Sequence, residues 1–122
     1  IYNRMDVFVR CDIDHGYQFC VLEAASCGIP VICTDSGPAK EVTDAGGGIC
    51  IGDPKGDWSE SNLAKYAQKI QTAVIYMRDQ PEDRKEMGKK GRFFIERNYT
   101  WDRQIDKWRE FFRYAYQKVS SL

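Results

Sequence analysis

The stretch that most constrains this chain is residues 14–36, DHGYQFCVLEAASCGIPVICTDS. A polar loop marked by one glycine runs into an apolar, alanine-rich segment, then Gly-Ile-Pro, then the β-branched run Val31-Ile32-Cys33-Thr34. Apolar and small residues recur at Phe19, Leu22 and Ala25 or Ser26, the period of a helix over 19–27. Gly28 stands where a C′ glycine ends a helix, and Pro30 stops any continuation. The order loop, helix, tight turn and buried strand brings the loop and the strand end out on one side.

The flanking segments extend that order. Residues 6–11, DVFVRC, predict a short buried strand, and residues 1–5 the end of a helix. Ser36-Gly37-Pro38 is a turn, a short helix covers 38–44, Gly46-Gly47-Gly48 breaks it, and residues 49–51 form a third strand. After Pro54 the pattern is helical throughout. Ser59 or Ser61 caps a helix with the apolar face Leu63, Ala67, Ile70, Val74 and Met77. Pro81 opens a second helix running to about Arg97, loosened at Gly88 and Gly91. Thr100 caps a third, with Asp102 in its first turn and the stripe Trp101, Ile105, Trp108, Phe112, Ala115 and Val119. The helical spacing of Trp101 and Trp108 reads as packing anchors rather than a sugar-stacking platform.

Alternating strands and helices specify an α/β fold with a partial, Rossmann-like parallel sheet followed by C-terminal helices. Residues 1–54 supply the strand–helix part and residues 55–122 the helical part. Three strands are few for a sheet covered on both faces, so the chain is expected to be the later part of a larger α/β unit.

Composition removes several function classes. The net charge is zero, with eighteen basic and eighteen acidic residues, which argues against a nucleic-acid partner. Only three of the basic residues fall in 1–52, against seven acidic ones, so the front half is mildly acidic and the back half basic. The basic segment 84–97 reads as a solvated helix face rather than a membrane contact, because Glu86 and Glu96 interrupt it. Five scattered cysteines without a CxxC pair, and a single histidine, do not make a zinc site. They read as reduced, buried small hydrophobes. With no signal peptide and no apolar run near the ~20 residues a membrane span needs, a cytoplasmic location is expected.

In open parallel sheets, ligands bind beyond the carboxyl ends of the strands, where the loops 12–18, 35–38 and 52–54 arrive. The first leads into a helix N-terminus, whose free N–H groups and dipole favour an anion such as phosphate. Gly16 lets backbone approach such a ligand. Glu23, about one turn into the helix, can accept two hydrogen bonds from a ribose diol. These features fit a nucleotide or sugar-phosphate pocket. A glycine before a helix also has purely structural uses, so the pattern alone leaves both readings open.

The runs MDVFV, HGYQFCVLEAASCGIPVICTDSGPAKEV and GGGICIGDP resemble the C-terminal half of GT-B glycosyltransferases of family 4. The matching residues are Asp6-Val7-Phe8-Val9, Gly16, Leu22-Glu23-Ala24, Gly28, Pro30-Val31-Ile32, Gly37 and Glu41, and EMGKKGRFFIERNYTW is similar to the family's ending. The resemblance implies a retaining transferase that moves a sugar from a nucleotide-diphosphate sugar to an acceptor, in glycan or glycolipid synthesis. It requires neither a metal nor a further cofactor. Glu23 would contact the ribose, and Gly16 with the backbone amides of Tyr17, Gln18 and Phe19 would lie at the diphosphate and sugar. His15 occupies the place of the family's sugar-contacting first glutamate, and Gln18 that of a glycine. By the same resemblance, the acceptor-binding domain and the phosphate-clamping Arg and Lys are expected upstream of residue 1. An acceptor at a membrane surface, with the protein peripheral there, fits the family's lipid-linked acceptors. The alternative is a non-catalytic GT-B-like module that assembles with a partner chain.

Overall fold

The β-branched run after Gly-Ile-Pro forms the centre of the sheet. In a computed structural model describing residues 1–12, 16–53 and 56–121, strand β2 (Val31–Cys33) lies between β1 (Phe8–Arg10) and β3 (Gly48–Cys50). Both pairings are parallel, with Val31 opposite Phe8 and Gly48, and Cys33 opposite Arg10 and Cys50. All three β2 residues are buried, as a strand covered on both faces must be. Helix α1 (Phe19–Ser26) connects β1 to β2, and α2 (Gly37–Asp44) connects β2 to β3. Helices α3 (Glu60–Asp79), α4 (Pro81–Asn98) and α5 (Trp101–Ser120) follow. The fold is therefore α/β, with a parallel sheet and C-terminal helices.

The stop of α1 is built by Gly28. Its φ of 76° is the left-handed conformation that glycine adopts without penalty. That geometry lets the Gly28 N–H donate to Ala25 O at 2.9 Å and the Ile29 N–H to Ala24 O at 3.0 Å, a Schellman closure. Residues 1–5, expected as a helix end, form only a 3₁₀ turn at Tyr2–Arg4.

Strand alternation splits the core in two. Val31 and Cys33 face a layer made by Val21, Leu22, Ala24 and Ala25 of α1, Ala39 and Val42 of α2, and Ile95 of α4. Ile32 faces the opposite way, onto Ile51, Ala73 and Met77, with Tyr66, Ile70 and Met87 at the margin. Each fully buried large side chain contributes about 1.5–3 kcal/mol by leaving water. Helix α3 thus docks through Tyr66, Ile70, Ala73 and Met77, while Leu63 and Val74 of the expected face stay 47% and 41% exposed. The Ser59 side chain caps it, accepting from the Asn62 N–H.

Helix α4 is unbroken across Gly88 and Gly91, so these glycines do not loosen it. Both are buried against turns that precede strands. A Cβ on Gly88 would fall 2.1 Å from Gly28 O, and one on Gly91 would fall 3.3 Å from Gly47 Cα. The glycines are there because backbone packs on backbone. Helix α5 begins after Thr100, whose side chain makes no capping hydrogen bond, and it has no buried residue. Trp101, Trp108, Phe112 and Val119 are 83%, 57%, 62% and 70% exposed, so the two tryptophans do not anchor the helix to the sheet layers. The Trp108 ring packs on its helix neighbours, stacking on Phe112 at 5.7 Å and meeting Phe111 edge-on at 5.9 Å. The cysteines also depart from expectation: Cys33 is buried, whereas Cys27 and Cys50 are exposed.

Candidate functional site

At the carboxyl edge of the sheet the three loops are tied side by side. The Thr34 hydroxyl, almost fully buried, donates to Asp12 O at 2.6 Å and joins the end of β2 to the loop after β1. The Asp35 N–H donates to Gly52 O at 3.1 Å and joins it to the loop after β3. This is where parallel α/β sheets place ligands. Two helices, α1 and α2, start from these loops, and their N-terminal amides and dipoles give the edge a positive bias.

Two basic side chains here, Arg10 and Lys40, have acidic partners, and a third, Lys69, donates to Ile51 O at 3.0 Å. Arg10 lays its guanidinium on the Asp12 carboxylate, Nε to Oδ1 at 2.5 Å and Nη2 to Oδ2 at 2.5 Å, and also touches Cys20 Sγ. Lys40 pairs with Asp44 at 2.8 Å and lies 3.9 Å from Asp35. Helix N-termini, rather than these cations, are left to meet an incoming anion.

The expected site residues distribute as follows. Gly16 is exposed, with φ of 64°. Tyr17 and Phe19 are 54% and 63% exposed, with ring centroids 4.9 Å apart. The Phe19 N–H donates to Tyr17 O at 2.9 Å, a three-residue turn that engages one of the amides expected to face a diphosphate. Gln18, between them, turns inward and is 2% exposed. It is the N-cap of α1, yet its side chain does not cap; instead Nε2 donates to Ser36 Oγ, the N-cap of α2, at 2.8 Å. His15 lies outside the described residues, so its role stays a proposal.

Glu23 is exposed on α1, and its Oε2 accepts from the Tyr2 hydroxyl at 2.7 Å. That bond to a carboxylate pushes the Tyr2 phenol up to about 12. No described hydrogen bond joins Glu23 to Gln18 or Ser36, so the Glu23–Tyr2 pair and the Gln18–Ser36 pair are two separate groups rather than one cluster. A third polar group sits on the helical layer. The Tyr99 hydroxyl donates to Glu41 Oε2 at 2.6 Å in a small cavity of about 250 Å³ also lined by Tyr17, Asn98, Gln104 and Lys107. Burial and the Glu41 bond hold the Tyr99 phenol above its ordinary value. Among the described residues, no three His, Cys, Asp or Glu side chains gather as a metal site would require, and no helix is long and apolar enough to cross a membrane.

Sequence reasoning missed Ser36 and Thr34. Both sit in the segment read as strand end and turn, and their partners lie 18 and 22 residues away, beyond any local pattern.

The sheet and its loops define a parallel α/β protein with its polar edge at the strands' carboxyl ends. The profile of the family described as Glycosyl transferases group 1 matches residues 1–74, more than half of the chain and all of this edge, and the chain belongs to that family. Its chemistry is accordingly that of glycosyl transfer. No curated protein and no solved structure matches the chain.

Proposed function

We propose that this chain is the donor-binding portion of a retaining glycosyltransferase, which takes a sugar from a nucleotide-diphosphate sugar and passes it to an acceptor held elsewhere in the enzyme. The observation that carries the reading is the tied carboxyl edge, where the N-termini of α1 and α2 meet through the Gln18–Ser36 bond. A departing diphosphate needs its charge shared, and fixed N–H dipoles do this without a proton transfer or a reorganising solvent. In this reading the diphosphate lies at Gly16, Tyr17, Gln18 and the start of α1, and Glu23 receives the ribose hydroxyls in place of Tyr2. His15 takes, in this reading, the role of the family's sugar-contacting first glutamate. The nucleotide sugar is a substrate, and no further cofactor is invoked. The acceptor, in glycan or glycolipid synthesis, meets the donor from a separate domain, in the cytoplasm or at a membrane surface.

A thermal-shift panel of uridine, guanosine and adenosine diphosphate sugars on the full-length protein tests this. One base class should raise the melting temperature in a dose-dependent way, because ligand binding only to the native state stabilises it by about 2.7 kcal/mol at a hundred times Kd. A flat response across the panel contradicts the reading.

A second reading, a non-catalytic module that assembles with a partner chain, draws on α5. Its exposed aromatic face is what a covered helix shows when its cover is absent. It predicts association that depends on Trp108 and Phe112, without any nucleotide response.

A further inference from the structure

Gln18 carries an anomaly that the fold does not resolve. Its side chain is 2% exposed, yet Oε1 is buried without a hydrogen-bond partner. Buried polar atoms are nearly always paired, because leaving one unpaired forfeits the water it gave up. The other end of the amide is held, with Nε2 donating to Ser36 Oγ at 2.8 Å, so the orphaned oxygen has a set direction. Its neighbours Gly16, Tyr17 and Phe19 are all exposed, and Gln18 is the residue of this run that turns into the edge. It also sits at the start of α1, where the diphosphate is proposed to bind.

We infer that Gln18 reads a hydroxyl of the transferred sugar, with Ser36 as the positioning residue that aims its amide. This rests on the donor-pocket reading above and adds to it a side chain that tells the sugar from the bare nucleotide. A polyol suits the group: a hydroxyl donates to Oε1, and it equally accepts from the amide nitrogen if the two ends exchange. An anion does not, since the carboxamide oxygen offers it no donor. A glycine at this position, as the resembling family has, contributes backbone alone. Gln18 is therefore a specificity determinant.

The test compares each nucleoside diphosphate with its hexose conjugate by calorimetric titration of the full-length protein. In Gln18→Leu and Gln18→Gly, the conjugate should lose about ten-fold more affinity than the bare diphosphate, the worth of one hydrogen bond to a buried group. Ser36→Ala should give a smaller loss of the same kind. Equal losses for conjugate and diphosphate in folded variants overturn the inference. If the Gln18 variants do not fold, deoxyhexose conjugates on the natural sequence decide. One of them should bind about ten-fold more weakly than the parent sugar, and a series with no such member overturns the role. Failure of the donor pocket itself looks different: no diphosphate, with or without sugar, binds the natural protein at all.

Discussion

Cys33 shows how one buried residue sets a pH dependence. Burial is the main cause that pushes its thiol from 9.0 up to about 12, so the folded chain keeps the proton where the unfolded chain has lost it. Between those two values the unfolded state binds fewer protons, so stability falls as pH rises. The contribution is complete below pH 9 and gone above about 12. Chemical denaturation from pH 8 to 11 should therefore show declining stability, with a shallower decline in Cys33→Ala. An identical slope in the two proteins would show that this thiol is not the group responsible. Cys33 was legible as a buried small hydrophobe because it lies inside a β-branched run. Cys27 and Cys50 were not, because Cys27 is the C-cap of α1 and Cys50 lies on the edge strand β3, where burial depends on what packs beyond. The Gln18–Ser36 bond was invisible for a related reason: two helix starts far apart in sequence meet only once the parallel sheet forms.

At the scale of elements, α4 gives a test in which two magnitudes compete. Alanine in place of a helical glycine gains about 0.8–1 kcal/mol of helix propensity. At Gly91 the new methyl group meets its nearest neighbour at 3.3 Å, a few tenths of an ångström too close, and the gain should roughly offset it. At Gly88 it would sit 2.1 Å from a carbonyl oxygen, and overpacking of this kind costs about 1–3 kcal/mol or more. Urea melts should find Gly88→Ala clearly destabilised and Gly91→Ala near neutral; the reverse order would contradict the packing described. The two glycines read as weak points in the sequence because propensity registers their cost and not the backbone approach they permit.

Helices α3 and α5 show the limits of periodicity in another way. The expected α3 stripe and the observed one share Ile70 and Met77 and differ by one residue elsewhere, Val74 against Ala73 and Ala67 against Tyr66. Both stripes are apolar, and docking on Ile32 and Ile51 chose between them. In α5 the stripe is as regular as expected, but a period identifies a face and not what covers it. Met77→Ala should accordingly cost about 2–5 kcal/mol, whereas Trp108→Ser, in an exposed helix, should cost under about 1 kcal/mol. A large loss on Trp108→Ser would mean that the α5 face is buried within the chain.

For the molecule as a whole, the order β1-α1-β2-α2-β3 and its parallel pairing followed from local signals alone: the glycine stop after α1, the β-branched run and the turn at Gly37-Pro38. Because that order forces the loops to one edge, the convergence of the three loops was legible before their geometry was. The outer boundary of the fold was not, since exposed faces on β1, β3 and α5 carry no local mark of what they meet. The central proposal is that the carboxyl edge binds a nucleoside diphosphate with Glu23 on its ribose. The most direct measurement is calorimetric titration of the best-binding diphosphate into the full-length protein and its Glu23→Ala variant. The account predicts binding that weakens by about 1–3 kcal/mol on substitution, the usual loss for a charged hydrogen bond. Unchanged affinity in the variant would remove Glu23 from the site, and no binding to either protein would contradict the central claim.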